Sequence, residues 1–333
     1  MYRCAGLILP GRTPLAQRQG TGRILADLVF DTATALSQGR RDRQEDAVVA
    51  DFQTGCDHGF AVLADGMGGH AGGDIASKIV VTEIFAELKL RSGDPKALEQ
   101  DVTAILRDAA EGANACLAEF VDSNPERNGM GATLLAPVFV GRKLFWISVG
   151  DSPLFLWRNG TLRRLNADHS MAARLAQAVA AGRINPETAR SHPDRACVTS
   201  VLSGREIAEV DCPPAPLTLQ AGDIIVAASD GVMSLETAAL EQVLSRAAGQ
   251  PAAQMAQHVL AEVAGLGRLD QDNLAFCLIR VLPPMAPVTR QGPRPAQQPA
   301  PRTHFRRRKT TLVASAHQQG GDFHFHSLSK RSQ

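Results

Sequence analysis

Aspartates stand at the ends of apolar stretches at four separate places in this chain: Asp65 in AVLADGMGGH, Asp151 in ISVGDSP, Asp230 in IIVAASDGV and Asp272 in DQDNLAF. A carboxylate directly after a buried strand is held at a sheet edge by a rigid scaffold, and a neighbouring glycine lets backbone or ligand come close. Several such edges converging make an acidic pocket. Its like charges repel strongly unless a cation neutralises them, and oxygen donors without His or Cys favour Mg²⁺ or Mn²⁺ over zinc. One Asp-Gly after a strand is ordinarily a turn. Four aspartates at such ends, two of them in Asp-Gly, joined by Glu45-Asp46 ahead of another apolar run, weigh toward metal binding.

The elements that would position these acids follow from local pattern. Residues 47–52, 59–64, 133–140, 144–149 and 154–157 are short, apolar or alternating, and bounded by turn residues, as strands are. Tight links at 141–143 and 158–160, the second containing Asn159-Gly160, predict antiparallel hairpins. Residues 75–90 and 97–120 carry helical spacing, with Asp94-Pro95 as stop and start. A second helix pair is expected at 238–248 and 252–266, split by Gly249 and Pro251, with a closing strand at 274–281. Helix pairs between runs of antiparallel strands predict an α+β layered domain.

Composition bounds the rest. The hydrophobic fraction of 44% over 333 residues supplies a sizeable core. No apolar run is long enough to span a membrane and the opening residues do not read as a secretory signal, so a cytoplasmic protein is expected. The six cysteines form no CxxC pair and are expected to be reduced thiols. Residues 283–333 carry nine Lys or Arg against Asp322 alone, which leaves 26 basic and 33 acidic residues for the body. An acidic body argues against nucleic acid as its ligand. Three parts are expected: an extension over 1–28, a folded domain over 29–282, and a disordered Pro/Arg-rich tail over 283–333.

The segments RRDRQEDA, LADGMGGHAGGDIAS, GMGATL, SVGDS, NADHS, VLSG, ASDGV and DQDN, in this order between about 30 and 282, resemble the type 2C family of metal-dependent protein phosphatases in its bacterial branch. The resemblance implies an α-β-β-α sandwich of two antiparallel sheets flanked by helix pairs. It also implies removal of phosphate from phosphoserine and phosphothreonine in proteins, with Mn²⁺ or Mg²⁺, two ions per site. By motif position Asp65 resembles the carboxylate bridging both ions, with the Gly66 carbonyl beside it. Asp46, Asp230 and Asp272 resemble further ligands, and Glu45 an acid acting through bound water. Asp151 matches the acid that holds a weaker third ion in bacterial members. Arg41, five residues before Asp46, stands at the offset of the family's phosphate-binding arginine, with Arg43 as a competitor.

On this reading two cations lower the pKa of a shared water, and Arg41 and the ions neutralise the phosphoryl oxygens during in-line attack. There are departures from the pattern. Met67 stands where eukaryotic members have a histidine proposed as general acid, and Pro153 replaces an arginine that often follows Gly-Asp-Ser. His70 is read as a polar residue at a helix start, and His169 as ordering a loop. Residues 170–198 resemble the flap beside the bacterial active site. The implied partners are phosphoprotein substrates and an opposing Ser/Thr kinase, for a protein expected to be monomeric. A non-catalytic phosphoprotein-binding domain is weighed against this and disfavoured by the complete set of acids. A basic-tailed adaptor for nucleic acid or membrane leaves the aspartates unexplained.

Overall fold

The computed structural model describes residues 28–53, 55–68 and 72–284, together with the backbone of 316–319 and 322–325. Two antiparallel sheets lie face to face, each with a pair of helices on its outer side. The first contains β2 (Asp46–Phe52), β3 (His58–Met67), β5 (Leu134–Val140), β6 (Lys143–Val149) and β9 (Leu217–Thr218) in that order, with β4 (Gly131–Ala132) paired to the end of β3. The second orders β1 (Val29–Ser37), β11 (Leu274–Leu282), β10 (Ile224–Ala228), β7 (Leu154–Arg158) and β8 (Thr161–Arg164).

Strand side chains alternate between faces, so a strand buried on both sides must be apolar throughout. β3 does this: Phe60, Val62 and Ala64 pack outward under α1 (Gly72–Arg91) and α2 (Pro95–Ser123), whereas Ala61 and Leu63 face the other sheet. On β10, Ile224 and Val226 pack under α5 (Thr237–Ala247) and α6 (Ala252–Gly265), while Ile225 and Ala227 fill the layer between the sheets. Three apolar layers therefore separate four layers of secondary structure, which is the α+β sandwich expected. Phe30, Phe52 and Phe139 meet edge to face in the central layer.

Local signals account for most boundaries. The β7–β8 link is Asn159-Gly160 with φ of 52° and 85°, the conformation a tight hairpin with the right twist requires. Asp94 caps α2, its side chain accepting from Lys96 N and Ala97 N, with Pro95 in the first turn. Four features differ from expectation. β1 did not stand out as a strand because its residues are mostly half-buried, yet it pairs with β11 from Val29↔Leu282 to Ser37↔Leu274. β9 is only two residues long and equally silent. Leu28, assigned to the extension, is buried in the central layer. α1 begins at Gly72, earlier than expected, because glycine is needed there for packing and not for helix propensity.

Between the sheets' edge strands lies the excursion carrying α3 (Met171–Ala180) and α4 (Pro186–Arg190), capped by Ser170 and Asn185. The expected extension over 1–27 and most of the tail lie outside the described residues. Within the tail, the backbones of β12 (Ala316–Gln319) and β13 (Asp322–Phe325) pair antiparallel. Among the described residues no helix is long and apolar enough to cross a membrane.

Candidate metal centre and phosphate cleft

Antiparallel pairing brings the acids to one edge of both sheets. Asp46 opens β2 and stands in register with Asp65 on β3. Asp230 follows β10, and Asp272 lies two residues before β11; because Ala228 pairs with Phe276, the end of β10 and the start of β11 share an edge. Asp151 follows β6. Two details correct the sequence picture. Asp272 precedes its strand instead of following one, and Asp65 lies inside β3, which runs on to Met67.

Burial is the largest influence on the carboxyls of this edge, and their mutual charge adds to it. Burial pushes the Asp46 carboxyl up to about 7, with the charges of Asp230 and Asp272 adding. Asp65 is held well above the carboxylate range by burial and by Asp46, Asp230, Asp151 and Asp272. Burial raises Asp151 to about 6 with help from Asp230 and Asp168, and burial and Asp272 raise Asp230. Such a cluster is electrostatically incomplete, since like charges in a low dielectric ask for protons or cations. Among the described residues no group of three or more His, Cys, Asp or Glu is placed to hold a metal ion. Two of the acids have side-chain partners: Asp272 Oδ2 accepts from Arg41 Nη2 at 2.6 Å, and Asp46 Oδ2 accepts from Ser229 Oγ at 2.7 Å.

Gly66 sits where the chain is tightest. A Cβ there would lie 2.0 Å from the carbonyl oxygen of Gly73 in the first turn of α1 and 2.7 Å from that of Glu45. Gly66 N donates to Glu45 O at 3.1 Å, so Glu45 is tied by its backbone to the strand bearing Asp65. Burial raises the Glu45 carboxyl, against the pull of Arg41.

Arg41 lines a polar cleft of about 590 Å³ together with Arg40, Asp230, Met233, Arg268 and Asp272, whereas Arg43 is not on its wall. Gly150 N donates to His169 Nδ1 at 3.1 Å, and burial lowers the His169 pKa, so this ring is a neutral brace of the turn carrying Asp151. Where Pro153 left the local hydrogen bonding open, Arg164 on β8 supplies it, Nη2 donating to Asp151 O at 2.8 Å and Nη1 to Asp168 Oδ2 at 2.7 Å. His70 lies outside the described residues.

Three buried polar residues, Asn273, Ser229 and Thr133, bond to the acids or their backbone, a fourth, Asn166, bonds to the chain just after Asp151, and none was singled out from sequence. Asn273 Oδ1 accepts from Glu45 N, and its Nδ2 donates to Gln38 O and Arg43 O, stitching the loop that carries Arg41 to the start of β11. Ser229 is anchored by Ala275 N at 2.9 Å. Thr133 Oγ1 accepts from Asp65 N at 2.9 Å, and Asn166 receives Leu154 N at 2.8 Å. The available signal was a polar residue flanking each acid motif: DN, SD, ATL and NADH.

Taken together, a four-layer α+β sandwich with a carboxylate cluster at one edge of its paired sheets and an arginine-lined cleft beside it defines the class. The chain belongs to the protein phosphatase 2C family, which its residues 38–263 match. It is 35% identical over 195 residues to the serine/threonine protein phosphatase PstP of Mycobacterium tuberculosis, covering 58% of this chain and 34% of that protein. It is 31% identical over 176 residues to the serine/threonine phosphatase stp of Listeria welshimeri, covering 53% and 67% respectively. The chain thus spans about a third of the length of the PstP protein. Among solved structures, that of the M. tuberculosis phosphatase PstP/Ppp superposes with a TM-score of 0.64 at 31% identity, over 77% of this chain and 100% of that one. A PstP catalytic domain in complex with two manganese ions gives 0.63 at 28%, over 77% and 99%.

Proposed function

We propose that this protein hydrolyses phosphoserine and phosphothreonine in phosphoproteins, using two divalent cations held at the carboxylate edge. The observation that carries the reading is the cluster itself: Asp46, Asp65, Asp151 and Asp230, raised by burial and by neighbouring acids, with Asp272 on Arg41, beside a cleft walled by arginine. Its all-oxygen donor set fits Mn²⁺ or Mg²⁺, ions that keep several water ligands and so do not need a closed protein cage. Asp46, Asp65, the Gly66 carbonyl, Asp230 and Asp272 would hold the pair, Asp151 a third and weaker ion, and Glu45 would act through water. When bound, the ions supply an activated water and neutralise developing phosphoryl charge.

The chain's own residues do the remainder. Arg41 pairs with Asp272. Released from it, the guanidinium offers two parallel donors to phosphoryl oxygens. Ser229 and Asn273 fix Asp46 and the Arg41 loop before substrate arrives, so little reorganisation is required. Met67 cannot give the leaving serine oxygen a proton, so none is assigned to it. An opposing Ser/Thr kinase and monomeric action in the cytoplasm complete the proposal. The described cysteines are all unpaired, as suits a reducing compartment.

The test is turnover of a phosphothreonine peptide with Mn²⁺, with EDTA, and by Asp65→Asn. Turnover should vanish with EDTA and fall by at least about a hundredfold in Asp65→Asn, the scale seen when a single transition-state contact is lost. Hydrolysis that survives chelation would end the two-ion mechanism, and no hydrolysis under any condition would favour a phosphoprotein-binding role.

A further inference from the structure

The cleft beside the carboxylate edge has three cations on its wall. Two are engaged. Arg41 is on Asp272, and Arg268 reaches Asp270 with Nε and Nη2 at 3.1 Å each. The third, Arg40, is exposed and makes no side-chain hydrogen bond or ion pair among the described residues. Its backbone, by contrast, is fixed. Arg40 N donates to Gln271 O at 2.8 Å, and the preceding Gly39 packs so closely that a Cβ would lie 2.2 Å from Asp272 O. An uncommitted guanidinium therefore projects from a rigid base at the mouth of the reaction site.

Arg40 also stands on the wall between this cleft and a smaller hollow of about 70 Å³, floored by Leu260, Val263 and Leu274. Gln271 lines both spaces. It is 9% exposed, and its Oε1 is a buried acceptor without a donor. A free cation on the cleft wall is what a passing peptide chain could satisfy with an anion.

We propose that Arg40 is a specificity residue: it binds the carboxylate of an Asp or Glu lying within three positions of the phosphorylated serine or threonine. The distance follows from an extended substrate advancing roughly 3.5 Å per residue, so that three residues span about 10 Å, a separation an arginine at the cleft mouth can serve. This inference rests on the phosphatase reading above. The partner has to come from the substrate because the cleft's acids are committed, Asp230 and Asp272 to the ion site and Asp270 to Arg268. A bidentate carboxylate matches the guanidinium fork, and a lysine at the same place is repelled, so selection works in both directions.

The experiment compares kcat/KM of the full chain with Mn²⁺ on three phosphothreonine peptides identical except for Glu, Ala or Lys at the flanking positions. The wild type should prefer the Glu peptide to the Ala peptide roughly two- to fivefold, the range of an exposed ion pair. The ratio should fall to about one in Arg40→Ala, on the same reasoning, and survive in part in Arg40→Lys. Arg40→Glu should turn the preference toward the Lys peptide. Each ratio is internal to one protein, so a loss of folded enzyme cancels. Added salt should narrow the wild-type ratio. An unchanged ratio in Arg40→Ala overturns the inference, as does an equal fall on all three peptides, which would mean general steering of phosphate. Turnover of p-nitrophenyl phosphate with a flat peptide ratio overturns the inference alone. If the wild type hydrolyses neither that compound nor any peptide, the phosphatase reading falls and takes the inference with it.

Discussion

Ser229 acts on Asp46. The hydroxyl is fully buried, takes a hydrogen bond from Ala275 N at 2.9 Å and gives one to Asp46 Oδ2 at 2.7 Å. That bond opposes the burial that drives the carboxyl toward neutrality, so it keeps Asp46 closer to the ionised state a cation needs. Ser229→Ala should weaken Mn²⁺ binding by about tenfold or more in a calorimetric titration, the usual cost of removing a group that orients a ligand, while the fold loses only about 1–3 kcal/mol. Unaltered Mn²⁺ affinity would show that Asp46 does not need this donor. Gln271 poses the opposite case. Its Oε1 already lacks a donor, and its Nε2 makes only long contacts, 3.3 Å to Asp272 O and 3.5 Å to Gly231 O. Gln271→Met, similar in shape and without the stranded acceptor, should keep or raise the melting temperature. A drop of several degrees would mean that those long bonds matter more than their geometry suggests.

At the scale of elements, the loop from β1 to β2 is what turns a strand pattern into a site. It is held against the 271–273 segment by Asn273, by Arg40 N and by the close approach at Gly39, whose φ is +62°. Gly39→Ala combines left-handed strain with a Cβ driven into Asp272 O, and should cost roughly 2–3 kcal/mol, or about 4–10 °C in melting temperature. Gly182 makes the matched control, because its φ is +68° but nothing lies within 4 Å of its Cβ. Gly182→Ala should cost only about 1 kcal/mol. Equal losses in the two variants would show that the packing of the loop on 271–273 adds nothing. The strands and helices flanking this loop were legible because they are periodic: β3, β5, β6 and the four sheet-covering helices announce themselves by spacing, α2 also by its Asp94 cap. β1 was not, since its partner β11 supplies the order that its own half-buried residues do not encode. The loop was legible only as a motif, because its shape is set by contacts with residues more than two hundred positions away.

For the molecule as a whole, the acids could be ranked from sequence but their mutual repulsion could not, because it arises only when β2, β3, β10 and β11 bring their ends to one edge. Burial, the larger effect, and that repulsion are both properties of the folded state and therefore couple to stability. Asp46, pushed up to about 7, and Asp151, to about 6, hold protons in the folded protein at pH values where an unfolded aspartate, near 3.9, has released them. The folded state thus binds more protons than the unfolded one between about pH 4 and 7, and stability must decline as pH rises through that interval. The contribution is fully present below the unfolded value and is lost as pH passes the folded ones. A divalent cation reverses the sign, since it binds the deprotonated cluster and competes with protons, adding about 2.7 kcal/mol at a hundred times its dissociation constant. In EDTA the melting temperature should fall from pH 5 to pH 8. With Mn²⁺ it should hold or rise, so the gap between the two curves widens with pH. Asp46→Asn removes one of the repelling charges. It should flatten the EDTA curve, stabilise the metal-free protein at pH 8 relative to the wild type, and shrink the Mn²⁺ gain. If Asp46→Asn instead lowers metal-free stability at pH 8 by as much as at pH 5, the edge is not strained by its own charge, and the physical case for a cation there fails.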